Sequence, residues 1–221
     1  MSSTTPASVT FGKAIRQKRG RKTYDALIAT TFELLERSEF DEISIAELAT
    51  KAGYSVGAFY ARFRSKDELL DAMVAQHIEE REAARDRVFA AATADTLVEE
   101  LIKETVETYW ARRRFWRAAL FRSIRDPKFW EPIRNQRHGL ASAVVEWIEQ
   151  RTKRALTAQE ELNVRFAAQL VLGTINNSII NRPGPIFMGQ ELFVENLCRA
   201  FRLVAGFDEL LGKRAKSRKK R

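Results

Sequence analysis

Residues 44–70 read SIAELATKAGYSVGAFYARFRSKDELL, and this stretch predicts two short helices, joined by a tight turn, with a third helix following. Ser44 stands three residues before Glu47, which is the spacing of the reciprocal capping pair that begins a helix. Gly53 stands where the first helix needs a left-handed residue to end, and Ser55 supplies the start of the next helix. The stretch therefore predicts a compact pair of helices with a short turn.

The residues after the turn predict how the second and third helices pack. Phe59 and Phe63 lie four residues apart and indicate one buried face, whereas the first residues of the second helix are small. Ser65 and Glu68 form another capping pair, and apolar residues at helical spacing continue the third helix. We therefore predict a helix-turn-helix at about residues 44–63.

The string GYSVGAFYARFxSKxELL, in which x is any residue, resembles the DNA-binding region of the TetR (tetracycline-repressor) family of bacterial transcription regulators. The resemblance covers about residues 21–80, including an amphipathic helix before the quoted stretch. Capped helices with a glycine turn also occur elsewhere, so the identification depends on an ordered set of residues. This set is Gly53, Gly57, Tyr60, Phe63, Lys66 and Leu69.

The resemblance implies an all-α fold with two domains. The first is an N-terminal three-helix helix-turn-helix DNA-binding domain at residues 21–80, and the second is a C-terminal six-helix ligand-binding and dimerisation domain at residues 81–211. We expect a disordered basic arm at residues 1–20 and a basic tail at residues 212–221. Helical spacing continues beyond residue 80, in agreement with the nine helices that the family implies.

Several DNA contacts follow from the resemblance, residue by residue. Tyr60 and Lys66 match family positions that contact phosphates. Ser44 caps the first helix and is expected to share its hydroxyl with a phosphate, and Tyr54 and Ser55 lie in the turn that faces the DNA backbone.

The end of the second helix that would read bases departs from the common family pattern. Val56, Gly57 and Ala58 stand there, whereas many family members have a lysine or arginine in place of Val56 and a threonine in place of Ala58. Apolar side chains can contact a thymine methyl group but cannot donate hydrogen bonds. Polar contacts are therefore expected from nearby basic residues, with the arm in a minor groove; these are Arg62, Arg64, Arg16, Lys18, Arg19 and Arg21.

The net charge of +9 is concentrated at the two ends of the chain. Residues 1–22 contain six basic and no acidic residues, residues 213–221 contain seven basic and no acidic residues, and the remainder is slightly acidic. Basic ends suit a polyanion such as double-stranded DNA. The alternative, that both ends are solvated tails that aid solubility, stays open for the C-terminal tail in particular.

Composition argues against several other classes of protein. No apolar run approaches the roughly 18 residues of a membrane span, so we expect a cytoplasmic, nucleoid-associated bacterial protein without a membrane partner. A single cysteine, Cys198, and two distant histidines, His77 and His138, predict no disulfide framework, metal site or cofactor. Catalytic sequence motifs are also absent, so we do not expect an enzyme.

The helices expected at about residues 157–181 and 190–207 carry apolar residues around more than a narrow stripe. Such helices are buried either within their own domain or against another chain. The family resemblance favours the second alternative, a homodimer formed through these two helices. Two recognition helices could then enter successive major grooves of a palindromic operator.

Aromatic and basic residues alternate in the middle of the chain. Trp110, Trp116, Phe121 and Trp130, with Arg117, are candidates for a pocket that binds a small-molecule effector, although aromatic residues at helical spacing are also typical of a core. Residues 112–137 carry nine basic residues against Asp126 and Glu131. This excess indicates either an anionic effector or a solvated face.

These features together predict a sequence-specific transcriptional regulator, most simply a repressor that a small-molecule effector releases from its operator. The alternative is a DNA-bound scaffold of the same fold, of the nucleoid-occlusion type, that acts through protein contacts. A cavity among the four aromatic residues would favour the ligand sensor, and a filled core there would favour the scaffold.

Overall fold

The computed structural model describes residues 7–212, with side chains described from Gly20 onward, and all regular secondary structure in this part of the chain is helical. The helices are α1 (Ala7–Leu34), α2 (Ile45–Lys51), α3 (Val56–Tyr60), α4 (Lys66–Ala91), α5 (Leu97–Ala111), α6 (Arg113–Arg125), a 3₁₀ helix (Pro127–Trp130), α7 (Glu131–Thr152), α8 (Ala158–Ile180), α9 (Glu191–Ala205) and α10 (Phe207–Leu210). The all-α fold is as expected. The 3₁₀ helix and α10 add to the nine expected helices.

Helix α1 begins at Ala7, whereas we expected a disordered arm as far as residue 20. Lysine, arginine, glutamine and alanine predominate in the segment 13–19, and all four favour helix without needing a buried face. The basic composition therefore does not by itself indicate an irregular chain. Residues 1–6 and the basic tail beyond Gly212 lie outside the described residues.

The chain divides into two compact units, and the boundary falls between Val74 and Ala75 within α4. We expected this boundary near residue 80. The N-terminal unit packs α1 to α3 and the start of α4 around phenylalanine rings. Phe63 lies with its ring centroid 5.6 Å from that of Phe59 and 5.1 Å from that of Tyr24, so α1 and α3 share one core.

The C-terminal unit is a helical bundle in which α9 packs against both α5 and α8, and α8 also packs against α7. Its core is apolar and includes the buried side chains Leu97, Phe115, Ile133, Val164, Ile175 and Phe207. A capping box begins α8, because Thr157 accepts from the Glu160 backbone N–H and the Glu160 carboxylate accepts from that of Thr157. Among the described residues, no helix is long and apolar enough to cross a membrane.

A buried polar cluster joins α4 to α5 within the C-terminal unit. Arg81 is only 8% exposed; it pairs with Glu104 and donates to Thr105 Oγ1 at 3.2 Å and to Thr108 Oγ1 at 3.3 Å. A buried charge requires such partners, because an unpaired one costs several kcal/mol. The cluster therefore fixes the orientation of α4 against α5.

His77 lies beside this cluster and is 3% exposed. Burial, with Arg112 and Arg81 close to the ring, lowers the pKa of His77 to about 3. The Arg112 guanidinium lies 3.0 Å from His77 Nδ1. A guanidinium can only donate, so Nδ1 accepts and the neutral ring carries its proton on Nε2.

This neutral histidine makes the free energy of unfolding depend on pH. In the unfolded chain His77 takes up a proton near its ordinary pKa of 6.5, whereas the folded protein resists protonation until about pH 3. The contribution of neutral His77 to the free energy of unfolding is therefore fully present above pH 6.5 and decreases as the pH falls below it. At pH 5 we expect a loss of about 2 kcal/mol from this one residue.

Urea unfolding at pH 7 and pH 5 tests this prediction with two variants. His77→Gln keeps an acceptor for Arg112 and should remove most of the loss, whereas His138→Gln, at an exposed position, should retain it. Equal pH sensitivity of the wild type and His77→Gln would show that His77 is not the group responsible.

Candidate nucleic-acid interface

The helix-turn-helix is shaped by two capped helices and a left-handed glycine. Ser44 Oγ accepts from the Glu47 N–H at 3.0 Å, and Ser55 Oγ accepts from the Ala58 N–H at 3.1 Å. Each serine thereby satisfies one backbone donor at a helix start, and its own O–H remains able to donate. The predicted caps at both helices are thus present.

Between the helices, Gly53 has φ of +78°, a conformation that side chains disfavour. The Tyr54 N–H donates to Ala49 O at 2.8 Å and the Gly53 N–H donates to Thr50 O at 3.0 Å. This pair of bonds is the Schellman pattern, which ends α2 and turns the chain at once. The angle between α2 and α3 therefore follows from the position of the glycine.

Helix α3 buries one side and exposes the other. Phe59 is fully buried, whereas Val56 is 41% and Tyr60 54% exposed. A Cβ atom at Gly57 would meet only Ser55 Oγ, at 3.7 Å, so the space over this residue is open. The exposed side of α3 thus consists of small or apolar residues and one phenol, with its backbone accessible.

Lys66, which is expected to contact a phosphate, also makes hydrogen bonds within the protein. Its Nζ donates to Phe40 O at 2.5 Å and to Asp41 O at 3.2 Å, and lies 4.8 Å from the centroid of the Phe40 ring. Burial lowers the pKa of the Lys66 ammonium, and the Asp41 and Asp67 carboxylates oppose this shift. Lys66 therefore holds the loop before α2 against the start of α4, and the phosphate contact stays a prediction.

The predicted arginine contacts differ in how firmly they are held. Arg62 donates to Ala61 O at 2.9 Å and passes over Gly20, where an added Cβ atom would lie 3.0 Å from its Nη2. Arg21 Nε lies 3.1 Å from Asp25 Oδ1. Arg64 is exposed.

The side chain of Arg19, like those of Arg16 and Lys18, lies outside the described part of the chain. Sequence reasoning missed two partners of the predicted arginines. The partner of Arg21, Asp25, could have been found from its i,i+4 spacing. No sequence signal indicated that Gly20 accommodates Arg62.

The five residues expected to form the effector pocket have different surroundings in the structure. Trp116 is 2% exposed and stacks on Tyr109 with ring centroids 4.1 Å apart, so it belongs to the core. Phe121 is 47% exposed, and Trp110 lines separate cavities beside the loop that precedes α9. Helical spacing alone does not reveal which rings a tertiary fold will bury, and an effector pocket at these residues stays a prediction.

The remaining two members of that set also lie apart. Arg117 donates to Ile179 O at 3.4 Å, whereas Trp130 lines a cleft between α7 and α8. This cleft has a volume of about 640 Å³ and also contains Arg134, Arg137 and His138. Their i, i+3, i+4 spacing on α7 was the available sequence signal for it.

Comparisons with known proteins agree with this geometry. The profile of the "Bacterial regulatory proteins, tetR family" matches residues 27–73, which contain α2, α3 and the start of α4. The "HTH-type transcriptional repressor Rv1353c" of Mycobacterium tuberculosis is 38% identical over 64 residues, or 29% of this chain and 24% of that protein. The match thus spans about a quarter of the relative's length.

Solved structures resemble a larger part of the chain. A transcriptional regulator from Cytophaga hutchinsonii has a TM-score of 0.64 at 17% identity, covering 86% of this chain and 96% of that one. A TetR-family regulator from Streptomyces coelicolor has a TM-score of 0.61 at 18% identity, covering 87% and 86%. At these identities the likeness establishes the fold.

The family profile, the sequence relatives and the fold therefore agree with one another. Residues 27–73 of this chain thus match the tetR family of bacterial regulatory proteins, and the described chain has the fold of solved TetR-family regulators.

Proposed function

We propose that the protein is a dimeric repressor that binds a palindromic operator in the bacterial cytoplasm and leaves it when a small molecule binds the C-terminal unit. The observation that carries this proposal is the capped helix-turn-helix, with an exposed, unobstructed face on α3. The name of the M. tuberculosis relative, a repressor, supports the direction of regulation.

Base recognition would combine apolar contacts from α3 with charged contacts beside it. Val56 and Ala58 offer methyl groups that suit a thymine in the major groove. The hydroxyls of Ser44, Tyr60 and Ser55 and the cations of Arg62 and Arg64 would bind phosphates or base edges around that contact. Affinity would then depend strongly on salt, since each phosphate neutralised releases counterions.

Dimerisation is supported by the exposed side of α8. Leu162, Phe166 and Leu170 follow one another at four-residue spacing and are 57%, 47% and 40% exposed, and Ile180 continues the row at 37%. On α9, Leu192 and Leu203 lie three helical turns apart and are 56% and 75% exposed. An apolar surface of this kind marks an interaction site, as the family resemblance also suggests.

Release by an effector requires only a modest difference in binding free energy. An effector that favours a dimer with unsuitable half-site spacing by about 3 kcal/mol weakens DNA binding by roughly a hundredfold. Helix α4 contributes residues to both units, so it is the element through which such a change would pass.

A second candidate is a DNA-bound scaffold that acts through protein contacts. The packed surroundings of Trp116 favour it, because this indole is buried and stacks on Tyr109. A reporter gene placed behind the operator distinguishes the two candidates: a repressor lowers transcription there, whereas a scaffold leaves transcription unchanged.

Selection of bound DNA from random sequence tests the main proposal. We expect two inverted half-sites whose centres lie about 34 to 36 Å apart, or a multiple of this, with thymines opposite Val56 and Ala58. Enrichment of a single asymmetric site, or of no sequence at all, would contradict the palindromic dimer.

Variants of two basic residues should have different effects, one on folding stability and the other on DNA binding. Lys66→Met should lower the free energy of unfolding by about 1 to 2 kcal/mol, because it removes charge-assisted bonds to two carbonyl groups. Arg64→Met should leave stability unchanged and reduce the slope of log affinity against log salt by about 1. Urea unfolding measures the first effect, and salt-dependent fluorescence anisotropy on the selected operator measures the second. A Lys66→Met variant as stable as the wild type would show that the bonds from Lys66 to the two carbonyl groups do not stabilise the fold.

The α8 surface can be tested with a matched pair of variants. Leu170→Glu places a carboxylate within the exposed apolar row and should convert the dimer to a monomer with operator affinity at least about tenfold weaker. Ile124→Glu makes the same change at an exposed position on α6, 72% exposed, and should have no effect on association. Sedimentation equilibrium measures both, and a dimeric Leu170→Glu variant would place the interface elsewhere.

A further inference from the structure

The cleft between α7 and α8 has one cationic side and one apolar side. Arg134, Arg137 and His138 project into it from α7. Leu172 and Phe166 line it from α8, and its volume of about 640 Å³ lies within the range typical of small-molecule sites. The cleft is therefore amphipathic and large enough for an organic ligand.

Arg137 is the fixed charge of this cleft. Its Nη2 donates to Tyr109 Oη at 3.0 Å and to Asn176 Oδ1 at 3.1 Å, and its guanidinium carbon lies 4.9 Å from the centroid of the Trp130 ring. These partners hold the guanidinium plane in one orientation, but all three are neutral. Their positions orient the cation without balancing its charge.

A counter-ion for Arg137 is absent from the described residues. No carboxylate there pairs with Arg137, and its buried Nε has no hydrogen-bond partner. By contrast, Arg165, which also lines the cleft, lies 2.7 Å from the Glu161 carboxylate. A half-buried guanidinium without a counter-ion is unfavourable, so the site is built to receive an anion.

A second, apolar cavity lies next to the cleft. This smaller cavity of about 50 Å³ lies between α5, α7, α8 and α9 and shares Ala141, Ala168 and Leu172 with the cleft. Its remaining lining is almost wholly apolar, so the cavity favours hydrocarbon over water. It has room for roughly three or four water-sized groups. A chain entering from the cleft would thus find apolar surface beyond the cation.

We propose that this cleft binds an amphiphilic carboxylate, that is, a monoanion with an apolar chain. The carboxylate would accept from the Nη1 group of Arg137, and the chain would lie along Phe166 and Leu172 towards the small cavity. A guanidinium whose Nη2 is already held in place can offer the N–H groups of Nη1 to an anion, whereas the apolar surroundings disfavour sugars and polyphosphates.

The proposal rests on the proposed effector-controlled function and specifies its ligand. Leu162 and Phe166 line the cleft and also belong to the exposed apolar row on α8. A ligand chain in the cleft would therefore contact side chains of the proposed dimer surface. Occupancy would alter this surface directly, which connects binding of the ligand to the spacing of the two DNA-binding units.

Titration calorimetry on the full chain with decanoate, decanol and acetate tests the proposal. Decanoate should bind, while decanol and acetate should each bind at least about tenfold more weakly, since one lacks the charge and the other the chain. Arg137→Gln should weaken decanoate binding at least about tenfold. Arg125→Gln, which removes the same charge from an exposed position at the end of α6, should leave it unchanged.

Arg137→Lys provides a second variant that keeps the charge but loses the guanidinium that Tyr109 and Asn176 orient, and it should also weaken decanoate binding. Circular dichroism confirms that each variant is folded before titration. Equal affinity for decanol and decanoate, or full affinity in both Arg137 variants, would overturn the proposal. Binding of acetate as tight as that of decanoate would reveal an adventitious ion site only.

Operator binding, measured separately with and without decanoate, distinguishes this inference from the proposed function. If the protein binds its operator but not decanoate, the ligand inference alone is wrong. If decanoate binds at Arg137 without weakening operator binding, the ligand site is correct and the effector-released repressor is wrong.

Discussion

The left-handed turn at Gly53 is the constraint on which the DNA-binding unit depends. Its φ of +78° allows the two backbone bonds that end α2 within one residue, so that α3 starts immediately at Ser55. Because the turn between α2 and α3 is so short, burial of Phe59 and Phe63 fixes the positions of both helices. An added Cβ atom at Gly53 would meet no neighbour, so any penalty for substitution arises from the backbone angle alone.

In the C-terminal unit, some arginines contact carboxylates, whereas others contact only neutral groups. Arg81 lies against two threonines and Glu104, whereas Arg137 lies against a tyrosine, an asparagine and an indole ring. In the first arrangement the Glu104 carboxylate balances the charge of Arg81, and the cluster stabilises the fold. The second is incomplete, which is why it indicates a ligand and not only a structural role.

Local signals in the sequence were sufficient for the helix-turn-helix. The caps at Ser44 and Ser55 depend on residues within three positions, and the structure contains both. The surroundings of the candidate pocket residues were not predictable in the same way. Trp116 and Trp110 both have helical spacing, but one is buried by Tyr109 and the other borders a distant loop. That division depends on contacts between helices far apart in sequence.

The position of Gly20 in α1 has a consequence for how DNA specificity can change in related proteins. The Arg62 guanidinium occupies the space that a side chain at residue 20 would need, with only 3.0 Å to the added Cβ atom. Since the obstacle is the end of a flexible side chain, alanine at position 20 would leave the helix intact and relocate the cation. A residue outside the helix-turn-helix can thereby redirect the charge of a proposed DNA contact, so that a change in α1 would alter the proposed interface without any change in α3.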